Sequence, residues 1–416
     1  MIAFKPKAKL VYVMTAAISA WSFLRGQLRY MREQGYDVTL VSAPSPRLEE
    51  TGAREGVKTI AVPMRREPSP FHDLATLGRL QSLFREIRPD IVHCGTPKAC
   101  FLGGLAGYLA GVPVRLMTLH GMRADGLNQP ARAIVLAMER ASCRTAQQVY
   151  CVGDSLRQRA LELRLASPEK LSVLAHGTAN GIDSDYFSAT AGVRASAEIL
   201  RRTHQLTTGE PVIGFVGRLV RDKGISELLS AFQQLKGDFP QLKLLLVGDF
   251  EDYDGVGADL RREIASDPRI VHLGFQDDPR PAYALMSVLA LPTYREGYPY
   301  VPMEAASMEV PVVATQGTGC VDAVIDGRTG SLVPPRDATA LAGALRRYLA
   351  EPDLQRSQGA AGRARVVADF RPELIWQALD QEYTSRLQLS VPPQISEPMR
   401  FPHDAPALQL TSEGSD

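Results

Sequence analysis

The 416-residue chain runs through one pattern twice. Short runs of β-branched and aliphatic residues alternate with longer stretches of helical period. The first series predicts strands at Leu10–Met14, Val38–Val41, Thr59–Val62, Ile91–Cys94, Val114–Leu119 and Val149–Val152, with helical stretches such as Ser22–Gln34 and Leu74–Ile87 between them. A polar segment near 184–209 interrupts the alternation. It restarts with strands at Val212–Val216, Leu242–Val247, Ile270–Leu273, Val288–Leu291 and Val312–Ala314. Mostly apolar strands separated by helices need a parallel sheet covered on both faces. The expected fold class is therefore α/β, with two doubly wound Rossmann-like domains facing across a cleft. In such sheets ligands bind at the carboxyl ends of the strands. The expected boundaries are 1–190 and 191–372, with a last helix at 373–388 packing back on the first domain. The segment 391–416, rich in Pro, Ser and acids, is expected to be disordered.

Charge is nearly balanced at +1 but unevenly placed. Residues 1–190 hold 24 Lys and Arg against 16 Asp and Glu; the remainder holds 23 against 30. A basic first half suits an anionic membrane face or a phosphorylated substrate, and equally suits ordinary variation. No nucleic-acid partner is expected. Cys94, Cys100, Cys143, Cys151 and Cys320 form no CxxC and no His-interleaved cluster, so they are expected as buried thiols in a reducing compartment. The start of the chain enters a strand-like run directly, without the pattern of a signal peptide. The longest uncharged run, Ala99–Val114, is shorter than a spanning helix and contains Pro113 and four glycines. A cytoplasmic protein is expected, at most peripheral on the membrane.

Two segments carry the chemistry. In the first, Gly214-Phe215-Val216-Gly217-Arg218-Leu219 leads to Arg221-Asp222-Lys223-Gly224, placing cations at a strand's carboxyl end. Arg218 can hold phosphate oxygens bidentately and Lys223 can add a point charge. Neither GxGxxG nor GxxxxGK[ST] is present. In the second, seven residues separate Glu296 from Glu304 across a predicted helix start near Pro299–Tyr300. Such a start can meet a diphosphate, with Tyr300 and Val301 as donors because Pro299 and Pro302 lack N–H groups. Glu304 can accept from ribose hydroxyls, and Glu296 can meet a transferred sugar.

These segments, with Gly317-Thr318-Gly319 and Ile325-Asp326-Gly327-Arg328-Thr329-Gly330-Ser331-Leu332-Val333 downstream, resemble the GT-B glycosyltransferases of family 4 in order and spacing. The resemblance runs to about residue 388. It implies a retaining enzyme using a nucleotide-sugar, UDP-N-acetylhexosamine or UDP-hexose first. Gly217, Arg218, Lys223, Tyr300 and Val301 would hold the donor diphosphate, Glu304 the ribose, and Glu296 the donor sugar. Backbone at Gly274 and Phe275 would meet the base. Thr118-Leu119-His120-Gly121 resembles the family's strand-end histidine, making His120 catalytic beside Glu296; His93 is the second candidate. The stretch after His176 reads as hinge-like.

Two departures stand out. The family's Gly-Gly loop after the first strand is replaced by Thr15 to Gln27, a version similar to the branch extending lipid-linked sugars in bacterial surface polysaccharides. Ser19, Arg25 and Gln27 would then grip a polyprenyl-diphosphate-linked or oligosaccharide acceptor. Val321-Asp322-Ala323 stands where many members have Pro-Glu, which leaves the role of Asp322 open. No cofactor or metal is expected, Asp252–Asp254 being a formal DxD only. Without a nucleophile near His120, the resemblance implies front-face attack. A predicted helix Trp21–Arg32, with Trp21, Phe23, Leu24, Leu28 and Met31 beside Arg25, Arg29 and Arg32, either docks on a membrane or packs its apolar groups inward. A nucleotide-sugar epimerase and a non-catalytic sugar-nucleotide-binding subunit are the alternative functions.

Overall fold

The computed structural model describes residues 6–251 and 255–390. Its first domain is a seven-stranded sheet: β1 Lys9–Val13, β2 Asp37–Ser42, β3 Lys58–Ala61, β4 Ile91–Gly95, β5 Val114–Leu119, β6 Gln148–Cys151 and β7 Leu171–Val173. The order is β3-β2-β1-β4-β5-β6-β7, every neighbour parallel. The second sheet holds β8 Val212–Val216, β9 Lys243–Val247, β10 Ile270–His272, β11 Val288–Leu291, β12 Val312–Thr315 and β13 Gly330–Val333. Its order is β10-β9-β8-β11-β12-β13, again parallel. β7 is a three-residue edge strand with no periodic signal, and β13 opens on a glycine. Neither was predicted as a strand. The polar interruption also contains a helix, Ala191–Thr203, capped by Thr190 and buried only along Val193 and Ala197.

The strand order reverses direction between β1 and β4 in one sheet and between β8 and β11 in the other. Chain leaving neighbouring strands there diverges to opposite faces and opens a crevice at the carboxyl ends. The segments at those four ends are Thr15–Ser19, Thr96–Lys98, Gly217–Lys223 and Pro292–Glu296.

One buried apolar cluster reaches into both domains. A second covers the other face of the first sheet, where Leu10, Leu28 and Leu116 pack with Ile375, Leu379 and Tyr383 of the last helix, Pro372–Ser390. Polar bonds pin this helix to the first sheet. Tyr383 Oη lies 2.8 Å from Tyr12 Oη and 2.6 Å from His93 Nδ1. His93 Nε2 lies 2.7 Å from Thr118 Oγ1. The second histidine candidate is thus a core residue with both ring nitrogens engaged.

The expected helix Trp21–Arg32 is two helices, Ala17–Phe23 and Gln27–Glu33. Gly26 breaks it, with φ 78°, a conformation open to glycine, and a Cβ there would press on the Trp376 ring at 2.7 Å. Leu24, Leu28 and Met31 are buried. Trp21 lies between the Arg47 and Arg54 guanidinium groups at 4.8 and 3.9 Å from its ring. Arg29 and Arg32 donate to the Arg54 and Gly56 carbonyls. The apolar groups named for membrane docking therefore serve the fold. Among the described residues no helix is long and apolar enough to cross a membrane. All five cysteines are buried free thiols.

Candidate active site

The crevices of the two sheets face each other and enclose a cavity of about 580 Å³. Ser19, His120, Arg218, Lys223 and Glu296 all line it. The expected core of the site is thus assembled in one place by residues distant in sequence.

The second domain supplies ion pairs. Lys223 Nζ donates to Glu296 Oε1, both side chains 17% exposed. Arg218, 61% exposed on its side chain, pairs with Glu251 at 2.8 Å. Arg295 donates to Asp222 Oδ2 at 3.1 Å. A phosphate entering here meets cations already held in place by carboxylates, so little ordering remains to be done when it binds.

The first domain supplies a neutral histidine to its wall, beside the ionisable Arg66, Lys98, Arg123 and Asp125. Burial lowers the His120 imidazole to about 4, so it is neutral at ordinary pH. The Phe23 ring stacks on it at 4.7 Å and 15° between planes. Phe23 also stacks on Tyr300 of the second domain at 6.3 Å. The sequence left Phe23 on a helix that either docks on a membrane or packs inward and gave no expectation of this bridge; only the break at Gly26, which shortens that helix, carried a signal for it.

The walls meet closely beside the histidine. A Cβ on Gly297 would collide with the His120 carbonyl oxygen, which makes glycine necessary between the two glutamates. Asp322 supplies a second latch: Ser155 Oγ donates to its Oδ2 at 2.6 Å, and the Ser155 N–H reaches both oxygens at 3.2 Å. That caps the first-domain helix Asp154–Glu162 with a carboxylate from the other domain. This is the place the structure gives Asp322.

Other expected residues stand apart from the cavity. Gln27 is buried and donates from Nε2 to Tyr12 Oη at 2.9 Å, so it cannot grip an acceptor. Arg25 is exposed and does not line the cavity; its guanidinium lies 5.8 Å from the Tyr186 ring. Gly217, Tyr300, Val301 and Glu304 also lie off the cavity wall. Tyr300 and Val301 open the helix Tyr300–Ser307. Glu304, further along that helix, accepts from Tyr283 Oη at 2.7 Å, and burial raises its carboxyl. Phe275 is 67% exposed after β10, its N–H donated to Asp249 Oδ1 at 2.9 Å; Gly274 accepts from the Gly248 N–H. Among the described residues no cluster of three or more His, Cys, Asp or Glu is placed to hold a metal ion. Asp252–Asp254 lies outside the described residues, as does 391–416.

Two facing parallel sheets around such a cleft define the GT-B glycosyltransferase architecture. Anabaena Alr3699/HepE, solved in complex with UDP-glucose, overlays with a TM-score of 0.77 at 19% identity, covering 91% of this chain and 100% of that one. A glycosyltransferase from Rickettsia africae ESF-5 overlays at 0.76 with 21% identity, covering 92% and 100%. Residues 20–177 match the family described as "Glycosyl transferase 4-like domain", and residues 210–351 match "Glycosyl transferases group 1". Capsular polysaccharide biosynthesis glycosyltransferase CapM of Staphylococcus aureus is 30% identical over 382 residues, 92% of this chain and 98% of CapM. An Escherichia coli UDP-Gal:alpha-D-GlcNAc-diphosphoundecaprenol alpha-1,3-galactosyltransferase is 24% identical over 303 residues, 71% of this chain and 76% of that protein. The chain belongs to the group 1, family 4 glycosyltransferases, and is a transferase.

Proposed function

We propose that this enzyme moves a hexose or N-acetylhexose from a UDP-sugar to a polyprenyl-diphosphate-linked saccharide, with retention, in polysaccharide biosynthesis. The observation that carries the reading is the Lys223–Glu296 pair at the carboxyl ends of β8 and β11, sharing one cavity with His120. The names of the CapM and Escherichia coli relatives support the pathway and the acceptor class. The UDP-glucose complex of HepE supports the donor class.

Lys223 and Arg218 hold the diphosphate and stabilise the charge that builds on it as the glycosidic bond breaks. Glu296, released from part of its hold on Lys223, accepts from hydroxyls of the donor sugar. Neutral His120 lines the face on which the acceptor enters and orients the reacting hydroxyl. The departing diphosphate takes that hydroxyl's proton, so attack and departure occur on one face. Glu304 accepts from the ribose, and backbone at Gly274 and Phe275 meets the base. No metal takes part, so transfer should persist in chelator. A peripheral position at the cytoplasmic membrane face would bring the enzyme to its acceptor.

The test is transfer from labelled UDP-, GDP- and ADP-sugars to short-chain prenyl-diphosphate saccharides, with product configuration read by NMR. Label should enter the lipid phase from a UDP-sugar with retained configuration, and Glu296→Ala should slow that transfer sharply. Conversion of the donor without acceptor would replace this reading with epimerisation. Tight nucleotide binding without turnover on any acceptor would replace it with a binding subunit. A trapped glycosyl-enzyme adduct would overturn front-face attack.

A further inference from the structure

The cavity does not end at the catalytic cleft. It continues into the first domain, between the helices Pro97–Leu109 and Ala131–Thr145, as a chamber walled by Cys100, Met117, Leu119, Met122, Val135 and Met138. One carboxyl stands among these apolar groups. Glu139 is only 5% exposed, lines the cavity, and has no hydrogen-bond partner of ordinary geometry on either oxygen. Burial pushes it up to about 7; the nearby Arg123 backbone amide pulls it down, but less.

The other buried carboxyls are treated differently by the fold. Glu55, 1% exposed, accepts from the Gly26 and Arg29 amides and from Arg54. Glu304 is held by Tyr283. Among the described residues Glu139 is the buried carboxyl with both oxygens unpartnered. Leaving such a group without a partner of ordinary geometry costs on the order of 1–3 kcal/mol or more, and the nearby Arg123 offsets only part of it. A leucine or methionine there would match the surrounding wall. Stability left unclaimed at a cavity wall is the mark of a group kept for a ligand.

We infer that Glu139 is the acceptor-reading residue of this transferase: its carboxyl accepts hydrogen bonds from hydroxyl or acetamido N–H groups of the acceptor's terminal sugar, seated in the apolar chamber. The sugar's C–H face packs on the methionine-rich wall, and its polar edge finds the chamber's unpartnered carboxyl. The inference rests on the transfer to a saccharide proposed above and names what selects that saccharide.

Full-length Glu139→Leu and Glu139→Gln are compared with the unsubstituted chain, using a short-chain prenyl-diphosphate N-acetylhexosamine as acceptor. Loss of hydrogen bonds to a charged group should raise the acceptor KM about 10- to 100-fold in the leucine variant, and less in the glutamine variant. UDP affinity by calorimetry should stay unchanged, and Tm should hold or rise in both. An acceptor KM within about twofold in both variants overturns the inference. So does a fall in Tm together with UDP affinity, which marks a structural role. If the unsubstituted enzyme binds UDP but transfers to no prenyl-diphosphate saccharide, the acceptor class proposed above fails, not this inference. It is then read from thermal shifts with free N-acetylhexosamines and hexoses. A shift in the unsubstituted chain that is lost in Glu139→Leu supports it, and no shift in either overturns it.

Discussion

The second domain presents ion pairs to the cleft; the first presents a neutral histidine and an apolar chamber with one unpartnered carboxyl, while Lys98 and Asp125 on its wall are paired to Asp73 and Arg159. Lys223 with Glu296, Arg218 with Glu251 and Arg295 with Asp222 are the second domain's ion pairs there. His120 is neutral and stacked on Phe23, and Glu139 sits alone in an apolar chamber. Under the proposed function, the difference follows from what each wall would bind. A leaving diphosphate gains negative charge as the bond breaks, so fixed cations stabilise the transition state more than the ground state. A sugar hydroxyl gains little charge and is recognised by a few hydrogen bonds against a dry surface.

The comparison breaks most visibly at its charged wall. Lys223→Ala and Glu296→Ala should each lower kcat by about 10²–10³. Because the two groups hold one another, the double variant should lose much less than the product of the single losses, as a double-mutant cycle in steady-state kinetics would read.

The neutral wall is tested by acid. His93 and His120 are lowered from 6.5 to about 3 and about 4 by burial. Their folded forms resist a proton that the unfolded chain accepts. Their contribution to stability is full above pH 6.5 and is lost as pH falls toward those lowered values. Denaturant unfolding should show each histidine costing about 1.4 kcal/mol per pH unit across that window. His93→Gln should remove one share of the slope; an unchanged slope would mean His93 is not held neutral.

The latch between the walls is worth less. Asp322→Ala removes the carboxylate capping the helix Asp154–Glu162 and should lower stability by about 1 kcal/mol in chemical denaturation. The smallest change belongs to Arg218→Ala. Its pair with Glu251 is largely exposed, so the loss in stability should be below about 1 kcal/mol in chemical denaturation.

The charged wall was far more legible in the sequence than the apolar one, for a physical reason. Cations and carboxylates of the kind that suit phosphate and sugar lie on short segments at strand ends, so Gly217–Lys223 and Glu296–Glu304 announce themselves by spacing. Eleven of the thirteen strands were legible, nine of them for a related reason: an interior strand buried on both faces is a near-continuous apolar run. The two that were not, β7 and β13, are short edge strands; the other two edge strands, β3 and β10, were legible from their β-branched runs. The chamber is built from residues that look like ordinary core, and Glu139, in Met138-Glu139-Arg140, looks like a solvated helix position until the fold turns it inward. Gln27 misled in the opposite sense, because its sequence neighbours reveal nothing of Tyr12 beneath it. Phe23 and Gly26 show the third limit: one glycine divides the expected long helix into two, and an aromatic ring expected either at a membrane or in the core stacks on His120.

The last helix, Pro372–Ser390, completes the first domain although it is translated after the whole of the second. On the ribosome, Tyr12 and His93 must therefore wait for the Tyr383 phenol while an entire second sheet is made. The N-terminal half spends that interval as an unfinished core with its polar groups open to water, which is the interval in which a chaperone would find it. The two domains are thus bound by order of manufacture as well as by contact: the half that emerges first is finished last.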